Sequence, residues 1–378
     1  MGDPVRPIVA LEISALAERF HTGIANVTKA LAREMLGDAG VDARFFIQRQ
    51  TVPRPIVERL VTLDGGDILW WLAGRLRADI DFGAALDRPV VALYCAPKQH
   101  RRLFPVEVQI VHDLTTIVTP AFHDAGSVVL WQTHFLADLL SSDLLVAVSE
   151  STRIDIRTYC PQVANIPCLV VPLASIIKPV VADTTQAPYV VVLGTLEPRK
   201  NIAGLLKCLA ENPQLLEQMV FVLVGRRGWG ASAQALIGQL GLADAFARGR
   251  LQVAGFVTDP VRDRLLAGAR CLVYPSLYEG FGLPVLEALA AGVPVITGFS
   301  SSLPEVGGPV ALYCDTQSPA SLAVALRQAL GHDMQSVAAG AARRAWARQF
   351  SWARTYEQIR DAALGLAQPQ PDWADQRA

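Results

Sequence analysis

Short runs of consecutive apolar residues recur along the chain, each followed by a polar or glycine-containing turn and then by a stretch with helical spacing. In the first half they are Pro7–Ile13, Arg44–Ile47, Pro89–Tyr94, Val108–Val111, Leu144–Val148 and Leu169–Val171. In the second half they are Tyr189–Leu193, Val220–Val224, Leu251–Val253, Cys271–Tyr274, Pro294–Thr297 and Ala311–Tyr313. Such runs are apolar at successive positions rather than alternate ones, so they suit parallel strands covered on both faces. Alternation of strand and helix predicts βαβ units and a doubly wound sheet in each half. Between the halves, Ser175–Pro188 is polar and proline-containing and reads as a hinge. The segment FSWARTYEQIRDAAL (350–364) predicts a final amphipathic helix, of the kind that often packs back on the first lobe of a two-lobe fold. The expected divisions are 1–178, 179–350 and a returning helix within 351–368, and residues 364–378 read as a frayed tail.

Composition agrees with two buried cores. The chain has 378 residues, 51% of them hydrophobic and 18% charged, which is long for one core and too apolar for disorder. Lys plus Arg (34) nearly balances Asp plus Glu (35), so no global field draws it to nucleic acid. The six cysteines are scattered without CxxC spacing, which argues against a zinc or redox motif. Cys168, Cys208 and Cys271 read as small core residues, and a reducing cytoplasm is the expected compartment. No apolar window is long enough for a membrane-spanning helix.

The chemistry gathers in the second half. In VVVLGTLEPRKNIAGLL (190–206) a buried strand ends, Gly194 and Thr195 turn, and Arg199 and Lys200 precede a helix. Two cations beside a helix start suit an anion, because the helix terminus offers free N–H groups. A solvated basic helix start is the plain alternative. In FVLVGRRGWG (221–230), Arg227 and Trp229 read as part of a strand-to-helix turn. The backbone of Gly255-Phe256-Val257 can line a planar base. In YPSLYEGFGLPVLEALAAGVPVI (274–296) a strand enters the glycine loop Glu279-Gly280-Phe281-Gly282, and a helix starts near Pro284. Loop amides there can face a diphosphate or a sugar, and carboxylates accept hydrogen bonds from vicinal hydroxyls. Taken alone, Glu287 reads as an acid complementing the helix dipole.

The pattern Glu279-Gly280-Phe281-Gly282 … Glu287, with GTLEPRKN upstream and SSLPEV downstream, resembles the retaining glycosyltransferases of the GT-B fold, specifically glycosyltransferase family 4. The resemblance extends to HTGI (21–24), VHDL (111–114) and VSESTRIDI (148–156) in the first half. It implies two Rossmann-like domains facing across a cleft, the first for the acceptor and the second for a nucleotide sugar. It places Glu279 at the donor sugar, with Phe281, Gly282 and Leu283 offering backbone contacts to it. It places Glu287 on the ribose, Gly255, Phe256 and Val257 at the base, and Arg199, Lys200 and Gly23 at the diphosphate. His112 matches a first-lobe histidine that reaches the donor sugar and is grouped with Glu279 as catalytic. Two departures stand out: Thr195 occupies a position where many relatives carry Arg, and the N-terminal loop has one glycine, not two.

The resemblance implies retention of anomeric configuration, with the donor phosphate helping to deprotonate the acceptor, rather than a glycosidase-like carboxylate pair. No cofactor and no metal are expected. Asp79-Ile80-Asp81 resembles a metal-binding DxD but has no strand before it and reads as a solvated face. The form GTLEPRKN looks like bacterial mannosyl- and rhamnosyltransferases of polysaccharide assembly, which favours a GDP-sugar such as GDP-mannose and leaves UDP-sugars open. The expected acceptor is a saccharide or polyprenyl-linked saccharide. DILWWLAGRLR (67–77) and VVLWQTHFLADLL (128–140) are rich in Trp and apolar residues, with Arg in the first; a peripheral contact with the inner face of the cytoplasmic membrane is the working expectation, and two core-facing helices the alternative. The rival classes are a sugar-nucleotide epimerase of similar fold and a catalytically silent nucleotide-sugar-binding scaffold. A NAD dehydrogenase lacks its GxGxxG fingerprint here.

Overall fold

In the computed structural model, which describes residues 6–18, 21, 23–63, 88–177, 180 and 188–367, the chain builds two sheets. The first contains β1 (Ile8–Glu12), β2 (Asp42–Ile47), β3 (Gln50–Thr51), β4 (Val90–Tyr94), β5 (Val106–Val111), β6 (Leu144–Ala147) and β7 (Cys168–Val170) in the order β3-β2-β1-β4-β5-β6-β7. The second contains β8 (Tyr189–Leu193), β9 (Val220–Val224), β10 (Leu251–Gly255), β11 (Cys271–Tyr274), β12 (Val295–Thr297) and β13 (Leu312–Tyr313) in the order β10-β9-β8-β11-β12-β13. Every strand pair is parallel except β2 with β3. Both lobes are therefore Rossmann-like, as expected: the chain starts centrally, winds to one side, then crosses to the other.

The continuous apolar runs have a direct cause. Along β8, Val190 and Val192 point into the layer that holds Leu205, Leu206 and Leu209 of the helix Ile202–Glu211. Val191 and Leu193 point the other way, with Val285, Leu286 and Leu289 of the helix Leu283–Ala291. Each such side chain contributes ~1.5–3 kcal/mol when fully buried, and a polar residue on either face would forfeit that gain. The edge strand β10 departs from the pattern, since it alternates buried and exposed positions. The hairpin strand β3 was not expected. It pairs antiparallel to β2 across Gln48, whose φ is 57°, and two polar residues leave no apolar run to read. Cys208 and Cys271 lie in the core, but Cys168 on edge strand β7 is only half-buried.

The helix Trp352–Ala367 lies on the first lobe, burying Tyr356, Ile359 and Ala363. Thr355 Oγ1 donates to the Pro172 carbonyl at 2.7 Å, while Tyr356 Oη and Arg360 both reach Asp38 Oδ2, at 3.0 and 2.8 Å. The chain passes from β7 to β8 between Val170 and Tyr189, and Lys178 and Pro179, at the expected division, lie outside the described residues. So do Trp70, Trp71, Asp79 and Asp81. The second aromatic stretch forms most of the helix Ala125–Leu140, which buries Phe135 and Leu139 but leaves Val129 63% exposed. No helix among the described residues is long and apolar enough to cross a membrane.

Candidate functional site

In open α/β sheets ligands enter outside the carboxyl ends of the strands, where the strand order reverses. In the second sheet that point lies between β8 and β11. Beyond β8 comes the turn Gly194–Glu197 and the 3-10 turn Pro198–Lys200; beyond β11 comes the loop to Gly282. The two loops are strapped together, because Leu277 N–H donates to the Arg199 carbonyl at 2.8 Å and Ser276 Oγ to the same oxygen at 3.2 Å.

The strap brings Arg199, Lys200 and Glu279 into one buried cluster. Arg199 donates to Glu279 Oε2 at 2.8 Å, to Glu197 Oε1 at 2.8 Å and to the Tyr278 carbonyl at 2.8 Å. Lys200 Nζ donates to Glu279 Oε1 at 2.5 Å and to Tyr274 Oη at 2.8 Å. Ser276 and Tyr274 hydroxyls add further donors to Glu279 Oε1, at 2.5 and 2.8 Å. Burial alone would raise the Glu279 carboxyl, but Arg199 and Lys200 override it and hold the group at about 2. Burial likewise opposes the Arg199 charge, and Glu279, Asp113 and Glu197 together hold its guanidinium above the usual range. The residues expected at diphosphate and sugar thus form a preorganised electrostatic frame at the switch point, with two cations facing two carboxylates.

The glycine loop continues from this frame and meets the first lobe. A Cβ on Gly280 would lie 1.7 Å from the His112 carbonyl oxygen, so only glycine permits this approach. Ser149 Oγ and Thr152 Oγ1 donate to the Gly280 carbonyl at 2.6 and 3.2 Å. Glu305 of the SSLPEV segment accepts from the amides of Glu150 and Ser151, at 2.7 and 2.8 Å, at the start of the first-lobe helix Glu150–Tyr159. The free amides of that helix terminus explain why a carboxylate docks there. His112, at the carboxyl end of β5, is fixed by Nε2 against the Cys95 carbonyl at 2.9 Å, and burial pushes its imidazole below the usual range. The amides of Phe281, Gly282 and Leu283 make no hydrogen bond among the described residues. Gly282, at φ 102°, turns this loop into the helix Leu283–Ala291. Phe281 is buried, its ring 6.0 Å from that of Phe350.

Glu287 projects from the same helix into a buried setting, 4% exposed. Its nearest cation, Arg262, stands 3.8 Å away and is engaged by Asp259 and Asp263 at 2.9 and 2.8 Å. Burial therefore prevails over Arg262 and lifts the Glu287 carboxyl to about 7, with Asp263 and Asp259 adding to the rise. Arg262 belongs to the helix Asp259–Gly268, which follows directly on the turn Gly255-Phe256-Val257. Phe256 of that turn is 39% exposed. Across the cleft, Lys29 Nζ lies 3.9 Å from Asp259, on the helix Gly23–Gly37. Gly23 opens that helix, with no atom within 4 Å of where a Cβ would stand.

Two contacts were not legible. Trp229, read as part of a plain turn, bridges the lobes: its Nε1 donates to the Phe122 carbonyl at 2.6 Å and its ring lies 5.5 Å from His123. Tyr278 Oη hydrogen-bonds Asp155 of the first lobe. Only the tryptophan between glycines marked the first, and nothing marked the second.

Residues 176–346 match the family described as Glycosyl transferases group 1. The chain carries a glycosyltransferase group 1 domain. The group 1 domain contains the whole second sheet, the Arg199–Lys200–Glu279 cluster, the glycine loop and Glu287. The chain is 32% identical over 257 residues to the O-antigen chain mannosyltransferase B of Escherichia coli, an alignment spanning 65% of this chain and 66% of that relative. It is 30% identical over 187 residues to a serotype-specific mannosyltransferase of Escherichia coli, covering 46% of this chain and only 23% of the much longer relative. The sucrose-phosphate synthase of Thermosynechococcus elongatus superposes with a TM-score of 0.67 at 17% identity, over 96% of this chain and 99% of that one. WaaG, a glycosyltransferase involved in lipopolysaccharide biosynthesis, superposes with a TM-score of 0.63 at 16% identity, over 94% of this chain and all of the other. The two lobes thus have the GT-B fold.

Proposed function

We propose that the chain is a retaining, metal-independent glycosyltransferase of family 4, which moves mannose from GDP-mannose to a saccharide or polyprenyl-linked saccharide in bacterial surface polysaccharide synthesis. The observation that carries this reading is the assembly around one switch point of cations with loop amides and a buried carboxylate that have no hydrogen-bond partner among the described residues. A nucleoside diphosphate sugar supplies what each part lacks. Its phosphates take the amides of Phe281, Gly282 and Leu283 and the field of Arg199 and Lys200. Its ribose diol donates to Glu287. Its base lies along Gly255-Phe256-Val257. The likeness to mannosyltransferases supports the sugar.

Departure of the diphosphate builds negative charge where the cations already stand, so the frame needs no reorganisation during the reaction. A lost contact of this kind raises the barrier by ~3 kcal/mol. Glu279, ionised at every working pH, holds Arg199 and Lys200 in place beside the sugar. His112, held against Gly280 by the lobe contact, brings a neutral imidazole to the same point. Closure of the lobes excludes water and limits donor hydrolysis. The enzyme works in the cytoplasm, against the inner face of the membrane when its acceptor is lipid-linked.

The test is donor cleavage across GDP-, UDP- and dTDP-sugars, with and without glycan acceptors and with EDTA present. Turnover of GDP-mannose with retained α-configuration is expected, undiminished by EDTA. Nucleotide binding without turnover of any donor would instead favour a silent scaffold, and 2-epimerised product an epimerase.

A further inference from the structure

Trp229 has no part in the proposed reaction, yet its turn is fastened to the residues that hold the cations. Leu196 N–H donates to the Arg226 carbonyl at 2.9 Å, and Gly228 N–H returns to the Leu196 carbonyl at 3.1 Å. A Cβ on Gly228 would lie 3.1 Å from Glu197 Cβ, and one on Gly230 would lie 3.0 Å from Pro198 Cγ. The glycines on either side of Trp229 therefore let the turn 226–230 lie directly on Glu197 and Pro198. Glu197 Oε1 accepts from Arg199 Nη2 and Nε at 2.8 and 3.1 Å, and Pro198 opens the 3-10 turn that carries Arg199 and Lys200.

The Trp229 side chain leaves this turn for the other lobe. Its Nε1, 2.6 Å from the Phe122 carbonyl oxygen, has one hydrogen to give, and its ring lies 5.5 Å from that of His123 at an angle of 33°. Phe122 ends the 3-10 turn Pro120–Phe122, and His123 lies between that turn and the helix Ala125–Leu140. One side chain thus joins the first lobe to the pair of turns that carries the cations. A donor–acceptor distance beyond ~3.5 Å is no longer a hydrogen bond, so this contact is lost once the lobes part by about an ångström. The seating of the turn 226–230 on Glu197 is therefore tied to closure.

We propose that Trp229 is a positioning residue: by clasping Phe122 and His123 it seats the turn 226–230 on Glu197 and Pro198, and so aligns Arg199 with the departing diphosphate when the lobes close. The assignment rests on the nucleotide-sugar reading above. Trp229 itself touches no substrate. It acts through Glu197 on a guanidinium whose small misplacement costs rate more than binding. With the clasp released, Glu287 and the turn Gly255-Phe256-Val257 still hold the nucleoside, so the donor binds while its cleavage slows.

The experiment measures release of nucleoside diphosphate by the full chain from whichever of GDP-mannose, UDP-glucose and dTDP-rhamnose it cleaves fastest, together with the Kd of the matching diphosphate by calorimetry. Trp229→Phe keeps a ring beside His123 and loses the N–H donor; kcat is expected to fall roughly tenfold while Kd stays within about twofold. Trp229→Ala lowers kcat further. A role through Arg199 makes the two positions non-additive, so in an Arg199→Lys background the cost of Trp229→Phe should shrink to about twofold. Undiminished kcat in both Trp229 variants, a loss of affinity equal to the loss of kcat, or a full tenfold cost in the Arg199→Lys background would overturn the assignment while leaving the donor reading intact. Failure of the unaltered chain to cleave or bind any of the three would instead remove the donor reading itself, and this assignment with it.

Discussion

Replacing Glu287 by Gln separates the demands of folding from those of binding. The carboxyl is nearly inaccessible, no donor reaches it among the described residues, and burial lifts it to about 7. A folded-state value above the unfolded one means that Glu287 favours the folded state fully below about 4.5 and loses that contribution as pH rises through about 7. The gap of about 2.5 pH units, at ~1.4 kcal/mol per unit, sets a ceiling of ~3.5 kcal/mol. Gln does not ionise, so it escapes this loss. It also gives up its share of Arg262, but Arg262 keeps Asp259 and Asp263. Glu287→Gln should therefore gain thermal stability relative to the unaltered chain on going from pH 5 to pH 8, by ~1–3 kcal/mol at the upper end. At pH 8 it should bind nucleoside diphosphates ~10–100-fold more weakly, because two hydroxyl donors lose a charged acceptor. The assays are thermal unfolding at both pH values and calorimetry at pH 8. A stability difference that stays constant or reverses between pH 5 and pH 8 would refute the buried-charge argument. Undiminished nucleotide binding would refute the ribose role.

Three further outcomes follow from the same geometry. Nucleotide affinity of the unaltered chain should fall by up to ~10-fold per pH unit below about 7, as the Glu287 carboxylate is protonated, and level off near the affinity of Glu287→Gln, which should lack this slope. Gly280→Ala places a methyl group against the His112 carbonyl and pries the lobes apart; transfer should drop by ~10²-fold or more, with nucleotide affinity far less affected, measured as kcat against Kd. Glu279→Gln leaves Arg199 and Lys200 short of a buried counter-charge and should destabilise the protein by ~3–5 kcal/mol, read as a lowered Tm; an unchanged Tm would show that water compensates the pair.

Strand positions were legible because burial on both faces demands uninterrupted apolar residues. Tyr189–Leu193, Val220–Val224 and Cys271–Tyr274 lie where the pattern puts them. The strand Gln50–Thr51 was hidden because a two-residue polar hairpin carries no such demand. Arg199, Lys200 and Glu279 were each marked as chemistry, but their mutual pairing was not. It joins residues 79 and 80 positions apart through the strap between two loops, and no local pattern encodes which cation meets which acid. The same holds for the contacts between lobes. Glu305 reads as an ordinary first-turn acid until the start of another helix, 155 positions earlier in the chain, is seen against it.

The helix Trp352–Ala367 belongs to the second lobe by its place in the chain and to the first by its packing. A ribosome emits the first sheet long before that helix, yet Tyr356, Ile359 and Ala363 complete the apolar cover of that lobe. The lobe begun first is thus finished after its neighbour, and the nascent first sheet waits with part of its surface bare, at ~5–20 residues per second, while the whole group 1 domain is synthesised.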